Sequence, residues 1–232
     1  MEGFTYVDIF ATKGIEYIFV ICFLLLFVVF AYSTFKPKHK TLTQKRSIGD
    51  LIRQWFVVPE FLYYHQGHTW VLPESEKVAK IGLDDFAQKL VGRIEALKIP
   101  KMGEEIVQGE KALRIEVGGK GIEMLAPLDG EVIDVNEKVL KDPSRLMEDP
   151  YGEGWLLRVY SPNLSSNLRN LLTGRLARRW MDVVKENLFS RMDYNLGLVL
   201  QDGGIPVSGM AKSLDPENWD EIVKEFFLTK EA

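Results

Sequence analysis

Hydrophobic and polar positions fall into three regimes along this chain. From Tyr17 to Phe35 there is no charge, and most positions are Ile, Val, Phe or Leu. Such a run predicts a helix apolar on every side. At 1.5 Å per residue it spans roughly 28 Å, close to the apolar thickness of a bilayer. The residues before it are acidic on balance (Glu2, Asp8, Lys13, Glu16) and no A-x-A follows. An uncleaved membrane anchor is therefore expected, not a signal peptide. Gly3 to Gly14 is itself apolar enough to lie at an interface or against another membrane subunit. Lys36, Lys38, Lys40, Lys45 and Arg46 follow the run. By the positive-inside rule the remainder of the chain is cytoplasmic, single-pass in the inner membrane with its N-terminus outside.

The second regime alternates. Val78–Gly82, Arg93–Ile99, Lys111–Val117 and Ile122–Pro127 read as short strands, Leu128–Asn136 as a turn and strand, and Glu148–Val159 closes the unit; the glycine and proline punctuation has the rhythm of a small β sandwich or barrel. Gly118-Gly119 predicts a tight two-residue turn, since glycine reaches φ > 0 without steric cost. Asp84 is a candidate N-cap for a helical turn that Gly92 stops. Ser47–Phe56 and Asp142–Met147 have a helical look.

The third regime is helical again. Leu164 to Met192 carries apolar residues at spacings of three and four, among them Leu168, Leu172, Leu176, Trp180 and Val183. Arg169, Arg175, Arg178, Arg179 and Lys185 occupy other positions. A helix packed on its own domain and one offered to a partner are both open, and the arginines suit an inner leaflet. Leu196–Leu200 reads as a strand and Gln201–Gly204 as a turn. Asp215 and Pro216 open a last helix that runs to Phe227.

Composition removes several functions. Charged residues are 27% and hydrophobic ones 46%, a globular balance. A net charge of −4 gives no global field for nucleic acid. One cysteine, Cys22, excludes an internal disulfide, a thiolate cluster and a haem-attachment site. The carboxylate pairs Asp84/Asp85, Glu104/Glu105 and Glu148/Asp149 have no histidine or metal set beside them in sequence, and are expected to be turn or surface groups. No catalytic residue and no metal ligand is predicted. His68 and Trp70 are expected to be structural.

Glu148-Asp149-Pro150-Tyr151-Gly152-Glu153-Gly154-Trp155, His68-Thr69-Trp70-Val71, Ile81–Gln88 and Pro127–Val132 together resemble the lipoyl-carrying H protein of the glycine cleavage system. The resemblance covers about Phe61 to Tyr160. It implies a mainly β fold, the lipoyl/biotinyl-type barrel-sandwich hybrid. One N-terminal transmembrane helix and an α+β C-terminal extension are added to it here. The expected divisions are 1–35 for tail and span, 36–60 for a basic linker, 61–162 for the H-like domain and 163–232 for the extension.

In that family lipoate is carried on a lysine at the hairpin tip, three residues after a glutamate and eight before a proline. Counting from Glu116 and from Pro127, that slot falls on Gly119, and Lys120 sits one place later. Two readings stay open. In the first the arm is lost and no cofactor is bound. The chain is then an accessory scaffold for integral and cytoplasmic-face subunits of a membrane complex, with a quinone-linked respiratory oxidoreductase as the setting. In the second, Lys120 carries lipoate and shuttles it between enzymes. The first is the expectation adopted.

Overall fold

The structure, a computed structural model, describes residues 9–34, 55–192, 200–201, 205–206 and 208–230. Most of the expected basic linker, most of the helix from Ser47 and most of the strand at Leu196–Leu200 lie outside the described residues. The chain divides into two compact units, Met1–Arg46 and Ser47–Ala232.

The described residues of the first unit form the helix α1 (Ile9–Thr34), of 26 residues. Its side chains from Tyr17 to Phe30 are largely exposed and almost wholly apolar. Among the described residues no helix is long and apolar enough to cross a membrane.

The second unit is built from antiparallel strands. These are β1 (Tyr63–Tyr64), β2 (Thr69–Pro73), β3 (Val78–Leu83), β4 (Ala96–Lys98), β5 (Glu105–Ile106), β6 (Lys111–Val117), β7 (Lys120–Leu125), β8 (Gly130–Val135), β9 (Trp155–Tyr160) and β10 (Leu172–Thr173). One sheet has the order β10-β1-β2-β3-β9-β8-β5, and a second is β4-β6-β7. Alternation along β6 puts Leu113, Ile115 and Val117 inward, against Ile122 and Met124 of β7. Between β3 and β4 lies α2 (Asp85–Val91), with Asp84 Oδ1 accepting the Ala87 N–H at 2.8 Å as its cap. The stop at Gly92 has φ 82°, and its amide donates to Gln88 O. Both ends follow the sequence expectation. Two short helices, α3 (Glu137–Lys141) and α4 (Ser144–Glu148), precede β9.

The long helix expected from Leu164 is broken. The chain makes α5 (Leu164–Arg169), then β10, then α6 (Gly174–Met192). The break is tertiary in origin: Thr173 and Leu172 pair with Tyr63 and Tyr64 of β1, and Gly174 turns with φ 53°. The buried face of α6 is Ala177, Met181, Lys185, Leu188 and Met192, so Leu176 and Val183 of the expected stripe point outward. After the paired stubs β11 (Leu200–Gln201) and β12 (Ile205–Pro206) come α7 (Met210–Leu214) and α8 (Trp219–Phe226). The last helix thus starts later than expected. Asp215 instead accepts the Glu217 and Asn218 N–H groups in the turn before it.

The C-terminal helices share the core of the β domain. Trp219, Val223, Phe226 and Phe227 are buried in the same cluster as Phe86, Ile115 and Met124. The backbone of Gly209 touches Gly92, where a Cβ would lie 2.8 Å from Gly209 Cα. Its amide donates to Lys89 O at 2.8 Å.

Candidate functional site

The hairpin β6–β7 presents the residues singled out in the sequence. Val117 pairs with Lys120, so the turn consists of Gly118 and Gly119 alone. Their φ values, 57° and 75°, are both positive, the requirement of the turn that matches strand twist in a two-residue hairpin. Nothing lies within 4 Å of a Cβ built on Gly119. Gly118 donates its amide to Glu95 Oε1 at 3.0 Å. Glu116 lies on the exposed face between Lys98 Nζ at 2.9 Å and Arg114 Nε at 3.1 Å, and those hydrogen bonds hold its carboxyl below the usual range.

Lys120 is the first residue of β7 and not part of the turn. Its ammonium donates to the Glu217 carbonyl at 3.0 Å and pairs with the Asp220 carboxylate. It also lies 5.6 Å from the centre of the Trp219 ring. Lys212 approaches the same ring at 4.9 Å, and Lys224 bonds Asp220 at 3.0 Å. Burial alone would raise the Asp220 carboxyl, but hydrogen bonds from Lys120 and Lys224 hold it below its ordinary value. Lys120 is therefore one half of a clasp between the hairpin and α8. None of its partners was visible in sequence, since Asp220 is 100 positions away. An open depression beside the turn, lined by Arg93, Glu95, Lys141 and Asp142, carries charge of both signs.

The Glu148–Trp155 motif proves to be a folded loop. Asp149 accepts the Gly152 and Glu153 amides, each at 2.9 Å. A Cβ on Gly154 would lie 2.6 Å from Asp149 O, so the turn closes only on glycine. Tyr151 donates to Val57 O at 2.6 Å and accepts the Asp85 N–H at 3.1 Å. The Trp70 indole donates to Leu83 O and Pro150 O. The motif ties this loop to the centre of the sheet.

This geometry agrees with the comparisons. The model of the family described as glycine cleavage H-protein matches residues 62–183. The chain belongs to the glycine cleavage H-protein family. It is 36% identical over 129 residues to the glycine cleavage system H protein of Bacillus licheniformis, 56% of this chain and 98% of that relative. It is 37% identical over 107 residues to the one from Carboxydothermus hydrogenoformans, 46% of this chain and 82% of that relative. Among solved structures, an H protein from Mycobacterium marinum matches with a TM-score of 0.42 and 26% identity, over 45% of this chain and 87% of its own. The family match runs past β9 into α6, further than the sequence resemblance.

At the hairpin where the H-protein resemblance implies lipoate, no tip residue is a lysine, and Lys120 follows the turn. The tip has no amine, because Gly118 and Gly119 form it. The amine of Lys120, next in sequence, is held by the Glu217 carbonyl and the Asp220 carboxylate. Forming an amide there would remove the charge and the clasp together.

Two expectations about carboxylates are corrected. Asp84 and Asp85 are buried, not surface groups. Asp84 Oδ2 meets His68 Nδ1 at 2.8 Å, and the imidazole stacks on Phe86 with ring centres 4.4 Å apart. His68 holds φ 64°, and its ring also faces Trp180 and Phe227. Strand pairing, invisible in the local pattern, brings the two together. Burial pushes the Asp85 carboxyl up, against a 2.7 Å bond from Lys89. The pair is enclosed by aromatic rings. Among the described residues no group of acids, histidines and cysteine is arranged to hold a metal.

Proposed function

We propose that this chain is a membrane-anchored, H-protein-like accessory module without a swinging arm, which holds partner subunits at a membrane. One observation carries the first half of this reading. The hairpin that displays the lipoyl lysine in the resembling family ends here in two glycines, and its adjacent lysine fastens α8. A carrier arm needs an amine free to be acylated and free to travel. A lysine clasped to its own C-terminal helix serves neither need.

The anchor rests on α1. The support is the uncharged, mostly apolar run Tyr17–Phe35, which at the α-helical rise would extend roughly 28 Å. The cluster Lys36–Arg46 orients the β domain to the cytoplasmic side. In that setting a stalk and a folded module without acid–base machinery suit assembly of a membrane complex, and a quinone-linked respiratory oxidoreductase is the setting we favour. Extraction of native membranes with alkaline carbonate is expected to leave the chain in the pellet. Release into the supernatant would remove the anchor.

The second reading is a lipoyl carrier acting at Lys120, with the enzymes of a glycine cleavage system as partners. Family membership favours it, as does the partial exposure of the Lys120 side chain. The intact mass of the protein purified from its native host separates the two. An unmodified mass is expected, and a lipoyl increment localised to Lys120 would replace the first reading with the second.

A further inference from the structure

We propose that the outward face of the first half of α6, with Phe61 beside it, seats on an anionic lipid surface. The inference deepens the membrane reading above and rests on it. Leu176 and Val183 are a full two turns apart on the pole of α6 opposite its buried face, and they are 68% and 64% exposed. At 100° per residue Arg179 and Arg175 fall on the same side of the helix as these two, while Arg178 is turned away from them. Arg178 pairs with Glu60, which brings Phe61, 65% exposed, to the same end of the helix. Thr173 Oγ1 fixes that junction through Leu62 O at 3.0 Å.

Two arguments choose the bilayer as occupant. The first is charge: among the described residues no ion pair joins Arg175 or Arg179 to an acid, while Asp182, beside Val183, pairs with Lys185, and Glu186, one turn on, is engaged in an interaction of its own. Exposed aliphatic and aromatic groups among arginines match the interface of an anionic leaflet, with apolar groups in the acyl boundary and guanidinium groups on phosphates. The second is continuity along the chain. Phe61 follows the basic stretch Lys36–Arg46 and the apolar helix before it. Whatever tethers that helix holds this segment within a short length of chain of the same surface.

The test uses the full chain, one copy per lipid nanodisc, with Cys22→Ser and Val183→Cys carrying an environment-sensitive fluorophore. In discs rich in phosphatidylglycerol the label is expected to shift to the blue. Its quenching by aqueous iodide should fall several-fold relative to discs of phosphatidylcholine alone. Arg175→Gln with Arg179→Gln, or high salt, should restore quenching, and an unchanged near-ultraviolet circular dichroism spectrum confirms the fold. A label equally open in both discs would overturn the proposal. So would equal shielding in both, or shielding in detergent that grows with protein concentration, which marks a second copy. Failure of the anchor is a separate result, seen as chain that does not enter the discs at all.

Discussion

Gly119 and Lys120 show how far one position alters what a hairpin can do. The turn leaves open space around Gly119, so a longer side chain there meets no neighbour. Its φ of 75° costs a non-glycine residue about 1 kcal/mol. Gly119→Lys is therefore expected to fold with a small loss of stability and to accept lipoate from a lipoate ligase, read by intact mass, where the parent chain does not. Labelling of the parent at Lys120 under the same conditions would remove the distinction. Asp220→Asn tests the clasp itself. The pair is partly exposed, so its removal is expected to cost only about 0.5–1 kcal/mol in denaturant unfolding. The folded Asp220 carboxyl lies below its ordinary value, so its contribution is present above that value and is lost as pH falls through the folded one. Asp220→Asn should flatten the acid limb of the stability curve near and below pH 4, about the ordinary Asp value. His65 gives a second window. Burial, with His68 nearby, lowers its value from 6.5, and its Nδ1 accepts the Gly67 N–H at 3.0 Å. As pH falls below 6.5 the unfolded chain is protonated first, so stability is lost there, and His65→Gln should remove that slope.

At the scale of elements, the deciding question is whether α8 is an appendage or part of the barrel. Phe226 faces Phe86 at 5.4 Å between ring centres, and Phe227 faces His68 at 5.8 Å. Buried apolar side chains of this kind contribute ~2 kcal/mol each, so loss of Trp219, Val223, Phe226 and Phe227 together consumes most of an ordinary domain's stability. Truncation after Asp215 is expected to abolish a cooperative thermal transition, and Phe226→Ala alone to cost about 3 kcal/mol. An unchanged melt of the truncated chain would mean that α8 is separable. Local pattern made the hairpin, the Asp84 cap, the Gly92 stop and the alternation of β6 legible, because each depends on residues within a few positions. It could not show that Leu172–Thr173 would leave a helical run to pair with Tyr63–Tyr64, because the competing partner is over a hundred residues away. The Lys120 clasp and the His68–Asp84 pair escaped because their partners lie 100 and 16 positions away, beyond any local pattern. Gly82 was legible only as part of a motif. Its physical role is to let the Trp70 ring pass where a Cβ would lie 2.6 Å from it, and Gly82→Ala should cost about 1–3 kcal/mol.

For the whole molecule, the two compact units imply a division of labour that a single deletion can read. The described buried core runs from Phe56 to Phe227 and contains no residue of α1. The aliphatic and aromatic side chains of α1 are by contrast exposed along its described length. A core complete without α1 does not lose packing when α1 is removed, whereas an exposed apolar helix needs an apolar medium. A chain lacking residues 1–46 is therefore expected to keep its thermal midpoint and near-ultraviolet spectrum. It should also leave the membrane fraction for the supernatant after cell lysis. The two readouts answer different questions. A large fall in the midpoint with release from the membrane would mean that the first unit supports the fold of the second. An unchanged midpoint with full retention in the pellet would move the anchor away from α1 and onto the β domain or its partners. Retention that disappears in high salt would point to electrostatic contacts such as the arginines of α6 rather than to the deleted helix.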